Sequence, residues 1–312
     1  MNFSPDDLPE SPTPKPGPKP ADAVPVWGRA PSPVQPEQSS ADARGHSDSG
    51  FALPASDAQP AELVPAAPPD PAWNGWDVLR LIFLTIVALF VGVFTVLLIA
   101  RWRFYPHTAL GEIARVPLVV VAGQSLAYLL ILGYMYVLVT RERRRPDFLA
   151  AIHWNWPANI AIYVLVGFAL SIALQALAHF LPIPRELPID SFFQTPAEAW
   201  ALGILSVTLA PLMEELFFRG FLYPVLARRI GLPVAVFVTA LAFALLHGAQ
   251  LMFTWGPVLV IFLVGVVLTM VRAKRNSVAA CVLIHMAYNG TITVAMFAAT
   301  DGFRHLEKLN SQ

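Results

Sequence analysis

From residue 73 onward the sequence alternates long apolar runs with short polar joints. Runs of about twenty residues match the ~30 Å hydrocarbon core of a bilayer. In lipid every backbone N–H and C=O must find its partner within the fold, which strongly favours helices for such segments. The pattern therefore predicts an all-α, multi-pass integral membrane bundle of about seven to eight spans. Composition agrees: 56% of the residues are hydrophobic and only 13% are charged, too apolar for an ordinary soluble domain. The single cysteine, Cys281, excludes an intrachain disulfide and a cysteine-based metal cluster. The formal net charge is zero, and no nucleic-acid partner is expected.

Seven apolar segments are read. The first runs from Val78 to Arg101, opened by Asn74 with Asp77 three residues on, a capping pattern. The second covers Val116 to Thr140, and the third Pro157 to Phe180. The fourth opens on the capping box of Thr195, Pro196 and Glu198 and continues to Arg229. Gly231 and Pro233 then mark a helix stop and a new start. The fifth runs from Pro233 to Gln250, the sixth from Pro257 to Arg272 and the seventh from Asn276 to Ala299. The fourth is too long for one straight span, so Pro211 and Pro224 are expected to kink or break it.

Residues 1–72 differ in kind. They hold seventeen of the twenty-nine prolines and ten of the twenty-one acidic residues. Few large apolar side chains are present to offset the entropy of ordering, so a disordered, acidic, proline-rich tail is expected. It reads as an extended spacer or as a polyproline ligand for a partner. The acidic start lacks an apolar core and is not expected to act as a signal peptide. The division is thus a tail over 1–72, a helical domain over 73–302 and a short C-terminal tail over 303–312. Arginines cluster in the joints after the second, fourth and sixth segments: Arg141, Arg143, Arg144, Arg145, Arg228, Arg229, Arg272 and Arg275, with Lys274. The opposite joints hold Arg101, Arg103, Arg115, Arg185, Arg304 and Lys308. The richer side is expected to face the cytoplasm, with the N-terminus there. The bias to arginine over lysine suggests a GC-rich genome, and with it a bacterial inner membrane.

Within the fourth run stand Glu214, Glu215 and Arg219. A carboxylate at membrane depth costs roughly 2.5–3.5 kcal/mol on insertion scales, so it is rarely there without a partner or a task. His247 closes the fifth run, and His285 and Asn289 lie in the seventh. Counted from the joints, three separate helices bring these groups to a comparable depth. Glu215 and Arg219 form an i,i+4 pair in the favourable order, which leaves Glu214 for chemistry. His285 and Asn289 share one face by the same spacing. A carboxylate and two imidazoles around a water is a hydrolytic arrangement. Two neighbouring glutamates in opposed environments is one way acid and base roles are separated. Elsewhere the reading is structural. Trp73, Trp76, Trp102, His153, Trp154 and Trp156 read as an interfacial aromatic belt, and Gln124 and Gln175 as interhelical hydrogen-bonders.

These residues resemble the CAAX protease and bacteriocin-processing family of intramembrane endopeptidases, which includes the Rce1-like prenyl-protein endopeptidases. Its first motif, a glutamate pair followed after three residues by arginine, matches Glu214, Glu215 and Arg219. Its second, phenylalanine with histidine four on, matches Phe243 and His247. Its third, histidine with asparagine four on, matches His285 and Asn289. The resemblance implies an intramembrane endopeptidase with a peptide or protein substrate. In it Glu214 activates a water that His247 helps hold, while His285 and Asn289 stabilise the oxyanion and Glu215 and Arg219 position the others. It leaves two options for cofactors: no metal, or a Zn2+ held by Glu214, His247 and His285. Alternatives of other classes are a non-proteolytic immunity or scaffold protein of the same fold, and a proton-coupled transporter. The latter would call for two half-repeats, which the sequence does not display.

Overall fold

The computed structural model describes residues 71–184 and 188–309, all within a single unit that spans Val64–Gln312. The tail up to residue 70 and Arg185 lie outside the described residues, as does the side chain of Lys308. Among the described residues the fold is helical, without strands. Helix α1 is Gly75–Arg103, α2 Leu110–Ile113 and α3 Pro117–Val137, which continues as a π-turn over Leu138–Glu142. Helix α4 is Phe148–Ala151 and α5 Ile160–Ala178. The fourth apolar segment becomes three helices: α6 Pro196–Val207, α7 Leu209–Glu215 and, after a π-turn over Leu216–Leu222, α8 Tyr223–Ile230. Helices α9 Leu232–Leu246, α10 Trp255–Arg275 and α11 Val278–Ala299 complete the bundle.

Six helical stretches are long and apolar enough to cross a membrane, and Leu232–Leu246 is a shorter apolar helix. The protein is a multi-pass integral membrane protein. Its outer surface carries large apolar side chains such as Phe83, Ile86 and Phe90, the lipid-facing counterpart of a soluble protein's polar shell. All seven apolar segments read from the sequence are helices. The fifth, however, ends at Leu246 rather than Gln250, and residues 248–251 form a 3-10 turn. At 1.5 Å per residue its fifteen residues reach only about 22 Å, short of the bilayer core. His247 therefore terminates a helix instead of standing within one.

Local signals explain most helix starts. Asn74 and Asp77 form a complete capping box, as do Thr195 and Glu198. The third segment starts three residues later than Pro157, at Ile160. Asn159 caps it by accepting from the N–H of Ile162. Gly231, at φ +78°, supplies the left-handed step that stops α8 before α9 begins. The long fourth segment does break, but at Thr208 rather than at Pro211 itself. Pro211 cannot donate to Val207 and its ring crowds that carbonyl, so the distortion falls on the preceding turn. The π-turn likewise sits just ahead of Pro224.

Helices cross closely where side chains are small. A Cβ on Gly167 would lie 2.3 Å from the carbonyl oxygen of Ile284, so α5 meets α11 backbone to backbone. Gly92 and Gly123 do the same for α1 and α3. One end of the bundle is tied by polar groups. Arg143 pairs with buried Asp77, Arg80 with Glu142 at 2.9 Å, and Arg228 donates to the carbonyls of Pro71 and Trp73.

Three expectations are corrected here. Trp73 is not part of a belt: it is 1% exposed, tilted against Phe221 at 4.7 Å, and its indole N–H donates to the carbonyl of Phe221 at 3.1 Å. Trp76 and Trp102, at 75% and 82% exposed, are placed as belt residues would be. His153 is a joint residue, since its carbonyl accepts from the N–H of Val278 and its ring contacts Asn276. Gln124 and Gln175 bond within their own helices, each to a residue four positions away, Tyr128 and Ser171.

Gly167→Ala is expected to lower the thermal midpoint of the purified protein in detergent, at a cost of about 1–3 kcal/mol. Gly111→Ala, where a Cβ meets nothing within 4 Å, should not.

Candidate active site

The centre of the site is a buried ion pair. Glu215 and Arg219 are both fully buried, one turn apart across the start of the π-turn, with Arg219 Nη1 donating to Glu215 Oε1 at 2.7 Å. Arg219 Nη2 donates to the carbonyl of Gly265 on α10 at 3.0 Å. The guanidinium lies 4.7 Å from the ring centre of Phe243 on α9. The carbonyl of Arg219 accepts from Arg272 Nε at 3.1 Å. A guanidinium offers five N–H donors in a fixed fork, and here one such fork ties several helices together.

Glu215 Oε1 also accepts from His285 Nδ1 of α11 at 2.8 Å. This contact fixes the imidazole. With the proton on Nδ1, the neutral ring carries its lone pair on Nε2. That nitrogen faces Glu214 Oε2 at 3.7 Å. His247 is set by the same logic from the other side. Its Nδ1 lies 2.9 Å from the carbonyl of Phe243, which can only accept, so Nδ1 holds the proton. Its Nε2 faces Glu214 Oε1 at 3.8 Å. Glu214 thus stands between two imidazoles, one per carboxylate oxygen, with both lone pairs turned to it. These separations exceed a direct hydrogen bond, and a small molecule can bridge each pair only from beside the line that joins the two atoms.

Asn289 lies one turn beyond His285 on α11. Its Nδ2 donates at 2.7 Å to the carbonyl of Ser206, next to the break between α6 and α7. The amide thereby satisfies backbone freed by the proline distortion and keeps one N–H uncommitted. Beside it, between α6 and α11, is a cavity of about 180 Å³ lined by Gly203, Ser206, Asn289, Ile292 and Met296 among others.

All six residues singled out in the sequence are placed here: Glu214, Glu215, Arg219, His247 and His285 in mutual contact, Asn289 adjoining. Among the described residues no group of three or more His, Cys, Asp or Glu side chains is placed to hold a metal ion. Phe243, matched in the sequence only as the phenylalanine of the second motif, packs its ring on both histidines and on Arg219.

Residues 196–291 match the family model described as type II CAAX prenyl endopeptidase Rce1-like. That stretch contains every one of the six residues. The match takes in less than half of the chain, and it is this stretch that is similar to the family. Neither the curated proteins nor the solved structures gave a match. The family so described is one of endopeptidases, and residues 196–291 are similar to it.

Removing one partner of a buried pair strands the other charge, at about 3–5 kcal/mol. Arg219→Met or Glu215→Leu alone is therefore expected to destabilise the purified protein strongly. The double variant should recover a large part of the loss in thermal unfolding.

Proposed function

We propose that the protein is an intramembrane endopeptidase in which Glu214 is the general base for a water held between Glu214, His247 and His285. The observation that carries this reading is the pair of short gaps, 3.8 Å and 3.7 Å, between the two Glu214 oxygens and the two imidazole nitrogens. All the groups facing that space accept hydrogen bonds, so they complement a molecule that donates, and water has two O–H donors. Glu214 takes one proton from the water as its oxygen attacks the peptide carbonyl carbon. The proton then passes to the departing amine nitrogen as the C–N bond breaks. The uncommitted N–H of Asn289 is assigned to the oxyanion of the tetrahedral intermediate. Glu215 and Arg219 position His285 and do not touch substrate.

The proposed steps are carried by these side chains and the water. The catalytic unit is assigned to residues 73–302. The arginine-rich end, with the N-terminus, is assigned to the cytoplasm of a bacterium, in its inner membrane.

The test uses full-length protein in liposomes and a library of internally quenched peptides, with and without a prenylated C-terminal cysteine. Glu214→Gln should lower the rate by about 10²–10⁴-fold while the protein still elutes as folded. His247→Ala should act in the same direction. A metal chelator should leave the wild-type rate unchanged. Full cleavage by folded Glu214→Gln would rule the base assignment out. A biological effect that persists in that variant would favour a scaffold or immunity role.

A further inference from the structure

The cavity between α6 and α11 has no part in the reaction above. Its volume is about 180 Å³, and Asn289, the side chain assigned to the oxyanion, forms part of its lining. Ala199, Ile292, Met296 and Phe303 give it an apolar wall. Two hydroxyls also line it, and both are committed to backbone. Ser206 Oγ donates to the carbonyl of Gly203 and Thr293 Oγ1 to that of Asn289, each at 3.0 Å. Among the described residues that line the cavity none is charged. A Cβ at Gly203 would meet one atom of a neighbouring helix within 4 Å, the Thr293 methyl at 3.0 Å, and that residue lines the cavity too. The absence of a side chain at 203 therefore keeps this space open.

Size and chemistry restrict the occupant. Pockets for whole small molecules run from about 300 to 1,000 Å³, so a cavity below that range suits a single side chain. A charge buried among these walls would lose its hydration and find no counter-charge. An apolar side chain gains from the same burial. The catalytic geometry decides where that side chain comes from. When the uncommitted N–H of Asn289 holds the carbonyl oxygen of the scissile bond, the residue that owns this carbonyl has its side chain nearest the cavity. We propose that the cavity is a side-chain subsite for one unmodified apolar residue, of leucine or methionine size, on the carbonyl side of the bond that is cut. An isoprenoid chain exceeds this volume, so a prenylated cysteine is not the residue placed there. Gly203 and Met296 are then specificity-determining residues. The inference rests on the hydrolase reading, with Asn289 at the oxyanion.

The experiment has two arms, both on full-length protein in liposomes. In the first, a quenched peptide that the wild type cleaves is varied only at the residue on the carbonyl side of the cut. One methylene in an apolar pocket is worth about 10–200-fold in kcat/KM, so leucine and methionine should exceed lysine and aspartate by at least that order. Gly203→Val should lower kcat/KM for the leucine peptide by about tenfold or more and leave the alanine peptide within about threefold. Wild-type selectivity in folded Gly203→Val would overturn the proposal, as would a wild-type preference for lysine, aspartate or prenylated cysteine. Should Gly203→Val fail to fold, Met296→Ala takes its place. It enlarges the cavity and should raise cleavage after phenylalanine relative to leucine, and an unchanged ratio would overturn the proposal. The second arm needs no turnover. The peptide with photoleucine at the varied position is irradiated with the Glu214→Gln protein. Mass spectrometry should find cross-links within residues 199–206 or 289–296, and cross-links only elsewhere, or none, would overturn the proposal. If the wild type cleaves no peptide of the library, the hydrolase reading fails, while a photoleucine-bearing library peptide still reports whether the cavity takes an apolar side chain.

Discussion

The structure depends on how a carboxylate is kept inside a lipid-embedded bundle. Glu215 and Arg219 are fully buried, and removing such charges from water costs several kcal/mol per ion. Their mutual attraction offsets this only with good geometry and further hydrogen bonds. Those are supplied by His285, which shares the Glu215 oxygen, and by the Gly265 carbonyl, which takes the second guanidinium nitrogen. The aromatic face of Phe243 completes the surroundings of the charge. The pair is thus a hub joining the π-turn to α9, α10 and α11. Its consequence for chemistry is indirect: by accepting from His285 Nδ1, Glu215 commits the other ring nitrogen to the space beside Glu214.

The helix carrying the two glutamates is irregular for a related reason. It breaks at Thr208 ahead of Pro211, and widens into a π-turn immediately after Glu215. Irregular backbone at membrane depth survives only where protein or water satisfies it. Asn289 does so for Ser206. In the proposed reaction the same side chain has a second task, giving its other N–H to the oxyanion. α-Helix interruptions of this kind are frequent at functional positions.

Much of this was legible in the sequence, for identifiable reasons. Apolar runs of membrane length, the two capping boxes and the i,i+4 spacing of Glu215 with Arg219 and of His285 with Asn289 act locally, so they survive any tertiary arrangement. The convergence of Glu214, His247 and His285 was readable because helix rise converts residue number into depth. What failed was non-local. Trp73 looked like a belt residue because nothing in its neighbourhood reveals that Phe221, 148 positions away, offers a carbonyl and a ring. Gln124 looked interhelical because the ring of Tyr128 masks a hydroxyl within reach. The early end of α9 was hidden because Leu245, Leu246 and the residues after them remain apolar enough to continue a span.

The central claim is spatial: Glu214, His247 and His285 converge from three helices closely enough for one water beside them to touch all three. An electron cryomicroscopy map of the full-length protein in lipid nanodiscs tests it most directly. The account predicts both imidazoles close to the 3.8 Å and 3.7 Å found here from the Glu214 carboxylate, with solvent density beside the three groups. A map in which Glu214 turns to lipid, or in which either histidine stands several ångströms further off with a side chain packed between, would contradict it.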